Sequence, residues 1–407
     1  MIPILEIEDQ YGHETALLLI CIRCHFKTAE YDEIANYINT KPIDWNYFKK
    51  QASYHRIRPI AYRSLLKCGI VFKGIEDFKA ELQQYTLRNW QLAFETERVL
   101  NIFENKCIKA TPYKGTMFSK QFYGDLVSRT SSDIDLLIDW EDLRPCIEIL
   151  KEEGYIPEWP LENFYTWNNI LKNSENEYNM DLYKNGERMF HIELHWDISS
   201  KQIAISKKTT EILEYKKENT ILLNRTVPCL TNESHFITML VHHASKDTLR
   251  FLRNLVDILQ AAQQIQETEW AIISSKLTTI KHQQSYEMSR TLIKSLIGKT
   301  IPALTNKKNS NDNILFFKQD LLKSGKRYEQ NSQAKYIFSG FYKRALITDN
   351  LFSKFKQWIG FAKIIIHPNI NDYKLFPINR KWFFLYYFSK PFRLLKKYIK
   401  RTEIGIF

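Results

Sequence analysis

The sequence predicts an α+β fold in which a small mixed β-sheet core is flanked by N-terminal and C-terminal helical regions. Three observations carry that prediction. Up to residue 105, apolar residues recur at helical spacing. Between residues 106 and 200, short β-branched runs alternate with short helical patterns. Beyond Ser200 the helical periodicity returns, and from residue 306 it gives way to a polar linker and a basic aromatic tail. The resulting division is 1–105, 106–200, 201–305 and 306–407. A chain of 407 residues with 44% hydrophobic residues, 12 Gly and 12 Pro can build more than one core and is neither disordered nor low in complexity.

The elements follow in order. Tyr31 to Ile38 is a short amphipathic helix. A second helical region runs from Trp45 toward Leu66 with Phe48, Ile57, Ile60 and Leu65 interleaved among polar residues; Pro59 breaks or kinks it, and Cys68-Gly69 caps it. Ile75 to about Glu104 is a long helix, with Phe78, Leu82, Leu87, Trp90, Leu92, Phe94, Val99 and Phe103 mostly at helical spacing and no Pro or Gly inside. Cys107 to Tyr113 is extended, and Lys114-Gly115-Thr116 turns it into a short helix ending near Tyr123. Ile134 to Ile138 is a buried strand, and Leu143 to Glu153 is a helix stopped by Gly154. Phe190 to Trp196 is a strand with His191, Glu193 and His195 on one face. One continuous helix is expected from Ser234 to about Gln264, with further helices at Trp270 to Ile280 and Tyr286 to Ile297.

Six cysteines are too sparse for a disulfide framework, the N-terminus is acidic where a signal peptide is basic, and no apolar run approaches the ~20 residues a membrane span needs. A reducing cytoplasmic location is therefore expected. Cys21-Ile-Arg-Cys24-His25 has the spacing of a haem attachment site, but without an export signal it reads as two free thiols on a helix.

Asp133-Ile134-Asp135 is the sharpest feature. Carboxylates at i and i+2 of a strand face the same way, with Cα atoms ~6.5 Å apart. They can serve a pair of divalent ions ~3.5–4 Å apart, the arrangement of two-metal phosphoryl transfer. The surrounding Ile134, Leu136, Leu137 and Ile138 place the pair on a buried strand, where carboxylates without a cation are costly. Oxygen ligands suit Mg²⁺, with Mn²⁺ as an alternative. Upstream, Lys114-Gly115-Thr116 offers backbone N–H groups and a hydroxyl at a strand-to-helix turn, where a phosphate can bind. Downstream, Glu193 is placed to act as a third carboxylate; the alternative is an exposed acid on an edge strand.

The order Lys114-Gly-Thr116, Arg129-Thr-Ser-Ser132-Asp-Ile-Asp-Leu-Leu-Ile138 and His191-Ile-Glu-Leu-His-Trp196 resembles the uncharacterised bacterial branch of the nucleotidyltransferase superfamily, whose members show an LKG turn, an R…DIDLLV strand and an ELHW strand. The resemblance covers roughly residues 40 to 305. It takes in Asp44-Trp45, Arg58-Pro-Ile-Ala-Tyr62, Leu240 to Lys246, Leu252 to Asp257 and Gly298 to Pro302. It implies a minimal polymerase-β-like core in which Asp133, Asp135 and Glu193 bind Mg²⁺ and Gly115-Thr116 face the phosphates of an NTP such as ATP. Two departures stand out. The superfamily prefers Gly-Ser or Gly-Gly where this chain has Gly115-Thr116, and the gap from Gly115 to Asp133 exceeds the usual spacing.

His242, Lys246, Arg250, Arg253 and Asp257 would share one face of the single expected helix. That face either closes the cleft and supplies cations or is a solvated surface. Lys114, Arg129 and Ser132 are read as further nucleotide ligands, with surface or structural roles as the alternative. A His191/Glu193/His195 transition-metal site is a minor reading. The expected function is metal-dependent transfer of a nucleoside monophosphate from an NTP to an acceptor, releasing pyrophosphate. The acceptor is a small molecule, a protein or an RNA, and no pattern chooses among them. The competing functions are an inactive nucleotide- or partner-binding module of the same fold and, more remotely, a DxD glycosyltransferase.

The net charge of +12 lies almost wholly in the tail: from Leu351 to Phe407 there are 12 Lys/Arg, two acids and 15 aromatic residues. The tail reads as a helix or wrap packing its aromatics on the helical domain while Lys396, Lys397, Lys400 and Arg401 stay solvated. The alternatives are peripheral contact with an anionic membrane surface and contact with nucleic acid.

Overall fold

The computed structural model describes residues 1–158, 175–199, 217–327 and 333–366, except positions 70 and 73, together with single residues and short stretches between 368 and 393. Helices α1 (Ile4–Tyr11) and α2 (His13–His25) open the chain. From Thr15 to Cys24 α2 is buried all round, as its unbroken apolar run requires. Cys21 and Cys24 on this helix are free thiols, and burial pushes the Cys24 thiol up to about 12. After α3 (Tyr31–Thr40), the helical region around Pro59 is two helices, α4 (Trp45–Tyr54) and α5 (Arg58–Lys67). The break falls at Arg56, whose φ is 58°, and Pro59 then sits in the first turn of α5, where its missing N–H costs nothing.

The 31-residue α6 (Ile75–Asn105) joins two cores. Its first half, through Phe78 and Leu82, packs with α2, α4 and α5, and its second half, through Leu92, Val99 and Phe103, packs under the sheet. Leu87, Trp90 and Phe94, expected on the apolar face, are instead exposed. They lie where the helix changes partners, so the apolar stripe is not continuous.

The sheet is mixed. Strands β1 (Ala110–Pro112), β2 (Ile134–Ile138), β3 (Ile156–Pro157), β4 (Glu177–Lys184) and β5 (Glu187–His195) lie in the order β1-β2-β5-β4-β3. The β2–β5 pair is parallel and the others are antiparallel. β5 is thus an interior strand, and the edge-strand alternative for Glu193 falls away. β4 and β5 form a hairpin through Asn185-Gly186, both at positive φ (54° and 80°), a turn signal visible in the sequence. A second hairpin, β6 (Lys217–Ile221) with β7 (Thr226–Leu230), is a separate two-stranded sheet whose Val227 and Cys229 pack into the same core. A short helix α7 (Gly115–Phe118) follows β1, and α8 (Leu143–Glu152) covers the sheet with Leu143, Ile147 and Leu150.

The helix expected from Ser234 to Gln264 is two helices, α9 (Asn232–Ser245) and α10 (Leu252–Ala262). Thr248 and Leu249 turn the chain at φ of 55° and 50°, and Asn254 Oδ1 accepts the Phe251 N–H at 2.8 Å to start α10. Helical spacing continues across the turn in sequence, which hid the break. The segments Glu269–Thr279 and Gln283–Leu296 are helical as expected, and helices at Asn311–Arg327, Gln333–Leu346 and Leu351–Ile366 follow.

The terminal helical regions share one core. The buried Arg23 of α2 donates to Leu296 O and Ile2 O, both at 2.8 Å, and Ile2 N donates to Ser295 O. Tyr386 of the tail is buried with the sheet rather than with the helices, whereas Trp382, Phe384 and Phe388 are exposed. Lys396, Lys397, Lys400 and Arg401 lie outside the described residues. Among the described residues, no helix is long and apolar enough to cross a membrane.

Candidate active site

The end of β1 delivers the chain into a turn under tension. Lys114 has φ 55° and ψ −154°, a conformation that non-glycine residues rarely adopt and that costs on the order of 1–3 kcal/mol. Two contacts hold it: its N–H donates to His235 Nε2 at 3.2 Å, and its ammonium pairs with Asp135 Oδ1 at 3.0 Å. Gly115 follows at φ 41°, and a Cβ there would stand 3.4 Å from Asp133 O and 3.9 Å from Asp135 Oδ2. The turn thus lies directly against the Asp133-Ile-Asp135 segment, and it is the positive φ that favours glycine there.

On the sheet, Asp135 and Glu193 are neighbours across the parallel β2–β5 ladder. His195, fully buried, points its Nε2 between them, 2.9 Å from Asp135 Oδ1 and 3.1 Å from Glu193 Oε2. His191 flanks Glu193 from the other side at 3.6 Å. Asp133 sits one residue ahead of β2 and accepts from Ser132 Oγ at 3.1 Å. Burial raises the Asp133 carboxyl, and the nearby charges of Asp135 and Glu193 raise it further. Burial also works against ionised Asp135 and Glu193, but Lys114 and His195 hold Asp135 below the usual carboxylate range, and His191 and His195 do so for Glu193. Burial pulls the Lys114 amine down, yet Asp135 and Glu193 together keep it above its ordinary value.

These groups open into a cleft of about 620 Å³. Of the residues singled out in the sequence, Lys114, Gly115, Arg129, Ser132, Asp133, Asp135, Glu193, His242, Lys246 and Arg253 line it. Thr116 and Arg250 are buried outside that lining. Thr116 belongs to α7 behind the turn, and the break between α9 and α10 takes Arg250 off the face it was expected to share. His242 lies in the last turn of α9, Lys246 caps it with its ammonium 3.2 Å from Glu177, and Arg253 lies in the first turn of α10. Arg129 lines the cleft but is already committed: its Nε donates to Asp257 at 3.0 Å, both side chains being buried. Burial alone would raise Asp257, but Arg129 and His243 hold it well below the usual carboxylate range.

The cleft also contains Arg56, Arg58, Tyr85, Arg88, Arg188, Ser131 and Asp247, which the sequence reading did not select. Arg56-Ile-Arg58 is a local basic pair, and Tyr85 and Arg88 share a face of α6 at i, i+3. Nothing local shows that α5 and α6 reach the cleft.

Residues 41–298 match the family described as uncharacterised nucleotidyltransferases. The chain belongs to this family. No curated protein matches it. Among solved structures, an antigenic nucleotidyltransferase-like protein from Paracoccidioides brasiliensis is similar over 52% of this chain and 94% of its own, with 12% identity and a TM-score of 0.32.

Nucleotidyl transfer commonly uses divalent cations, and the donor set of this nucleotidyltransferase family member fits one. Ligand atoms of Asp135, Glu193 and His195 lie within 4.8 Å of one another. Asp133 is not in that group but lines the same cleft, within electrostatic reach of Asp135 and Glu193. Asp135 Oδ1 accepts from Lys114 and His195, while Oδ2 is turned toward Gly115 and takes neither bond. The like charges that raise Asp133 are those an added cation would relieve.

Proposed function

We propose that the protein is a metal-dependent nucleotidyltransferase with a polymerase-β-like core, transferring a nucleoside monophosphate from an NTP, ATP among them, to an acceptor. The observation that carries this reading is the parallel register of Asp135 with Glu193, beside Asp133 and against the Gly115 turn. In it, residues 106–200 form the transferase core, residues 201–305 close the cleft, and residues 1–105 supply the opposite wall. Asp133, Asp135 and Glu193 would hold Mg²⁺ or Mn²⁺, with His195 orienting the two strand carboxylates. Bound there, the metal would stabilise charge on the phosphate oxygens.

The chain's own groups do the rest. Backbone N–H groups of the Gly115 turn, Ser132 and the ammonium groups of Lys114 and Lys246 bind and orient the triphosphate, and His242 closes that side. Arg129 acts as a positioning residue, tying α10 to the turn through Asp257 and Gly115 O. The acceptor's nucleophilic atom, a hydroxyl oxygen in the simplest case, forms a bond to the α-phosphorus. The bond from that phosphorus to the bridging oxygen breaks, pyrophosphate leaves, and the acceptor's proton passes to a nearby carboxylate or to solvent.

Incubating the protein with α-labelled NTPs and lysate, with and without Mg²⁺, tests the reading directly. Labelled product should form only with Mg²⁺ and fall by at least about a hundredfold in folded Asp135→Asn and Asp133→Ala proteins. Unchanged labelling in those variants would sink it. One observation favours a second reading, a nucleotide-binding module without turnover: Lys114 already neutralises Asp135. Calorimetry showing NTP binding indifferent to Mg²⁺ and to Glu193→Ala would favour that module.

A further inference from the structure

Besides Arg129, five arginines among the described residues line the cleft that holds the carboxylates. Arg56 precedes α5, Arg58 begins it, Arg88 comes from α6, Arg188 from β5 and Arg253 from the first turn of α10. Most of these guanidinium groups are steadied by rings and a carbonyl rather than by carboxylates. Arg56 lies 4.2 Å over Phe251, Arg58 4.2 Å over Tyr85 and Arg88 5.4 Å over Phe190, while Arg253 Nη1 is 3.4 Å from Thr130 O. Arg188 forms an ion pair with Asp181 at 3.5 Å, while Asp247 acts through space on Arg56 and Arg253, and Asp133 on Arg88. Nε of Arg58 and Nε of Arg253 are shut off from solvent without a hydrogen-bond partner, a costly state for a charged donor. Burial lowers Arg88, and Arg188 beside it lowers it further; Arg253 is lowered to about 10 by burial and by Arg129. Guanidinium groups that crowd one another in a concave cleft and keep unbonded N–H donors suit an anion with several oxygens, which phosphate presents in matching geometry.

In the proposed reaction, divalent ions held at the carboxylates, with Lys114 and Lys246, would already offset the donor's triphosphate, which leaves the arginines for a second anion. We infer that Arg56, Arg58 and Arg88, with Arg253 at their edge, bind a phosphate carried by the acceptor. The acceptor is then a phosphate-bearing molecule whose nucleophile reaches the α-phosphorus while its phosphate rests on the arginine wall. This inference rests on the nucleotidyl-transfer reading of the same cleft, and it names the substrate class which that reading leaves open. A small sugar phosphate and a phosphorylated RNA end present the same chemistry.

Binding measurements on the full-length protein separate these cases. The probes are ribose 5-phosphate, a 5′-phosphorylated RNA tetramer, the unphosphorylated form of each, and the Mg²⁺ complex of α,β-methylene-ATP. The expected result is that at least one phosphorylated probe binds about tenfold or more tightly than its unphosphorylated form. The Arg58→Gln/Arg88→Gln protein should lose that preference and keep nucleotide affinity within about threefold. Arg58→Lys/Arg88→Lys, which keeps the charge but not the forked donors, should lose part of it, so the site can be tested even if the Gln protein is unstable. Whichever phosphorylated probe binds identifies the source. Absence of a preference in the wild type, or parallel loss of nucleotide affinity in the variants, overturns the inference; the second result would place the donor on this wall. A wild-type protein that prefers phosphorylated probes but binds no nucleotide upholds the phosphate site and overturns the transferase reading.

Discussion

At the scale of single residues, the cleft depends on atoms that hold others in place. Gly115 is the clearest case. An alanine Cβ would reach ordinary contact with Asp133 O and Ser131 Oγ, so the fold has room for it, but the positive φ costs about 1–2 kcal/mol. Gly115→Ala should therefore lower stability modestly while placing a methyl group beside Asp135 Oδ2. Transfer should fall at least about tenfold, more than the stability loss explains, as labelling and thermal unfolding of one preparation would show. His235 is the second case. Its Nε2 accepts the Lys114 N–H while Nδ1 faces Gln121 Oε1 at 2.7 Å, which requires a neutral ring, and burial lowers its pKa to about 3. The folded value lies below the unfolded one of ~6.5, so this contribution is complete above about pH 6.5 and is lost as pH falls toward 3. His235→Gln should flatten the acid side of the stability profile by about 1.4 kcal/mol per pH unit between pH 6 and 4. Urea denaturation across that range measures the slope, and an unchanged slope would show that His235 is not buried neutral. The sequence marked Gly115 through its motif. His235 went unnoticed, because a histidine inside an apolar helix carries no local sign of what it accepts.

Elements show a different balance. Strand β2 was readable residue for residue, because a five-residue β-branched and leucine run buried on both faces has few alternatives. The break between α9 and α10 was not, because the apolar residues on either side keep helical spacing and the turn at Thr248 and Leu249 contains neither Pro nor Gly. That break separates Lys246 from Arg253 and sends Arg250 away from the cleft. The position of α10 is in turn locked to the core by the buried Arg129–Asp257 pair. Asp257→Asn leaves Arg129 buried without its counter-charge and should cost about 3–5 kcal/mol. The Arg129→Met/Asp257→Leu protein should recover most of that stability but not activity, since the link from α10 to the Gly115 turn is gone. Equal stability of the wild-type and Asp257→Asn proteins in denaturant titrations would refute the locking role.

For the molecule as a whole, the terminal helices are not appendages of a central domain. α1 and α2 share a core with the helices up to residue 347, and α6 carries that core's N-terminal side across to the sheet. Among the described residues the tail meets the sheet core through Tyr386, which is fully buried and whose hydroxyl accepts the Ile378 N–H at 2.7 Å. Tyr386→Ala should cost about 3–5 kcal/mol by opening a cavity. If the tail serves only as packing, removing residues 373–407 should destabilise the protein to a similar extent while residual folded enzyme keeps its nucleotide chemistry. Truncated protein of full stability would overturn the packing role of Tyr386.

The sequence by itself determined the α+β class, the buried strand bearing Asp135, the strand bearing Glu193 and the turn at Gly115. Each is written in local periodicity or in glycine's freedom of φ, which depend on neighbours a few residues apart. Only the tertiary structure decided that Asp135 and Glu193 are neighbours in a parallel pair, that His195 stands between them, and that Arg56, Arg58 and Arg88 line the same cleft. Those facts depend on which distant surfaces bury one another, and the arginines reach the site because α5 and α6 pack into a core completed by helices some two hundred residues later. No local pattern encodes such a contact, because the free energy that selects it belongs to the assembled core.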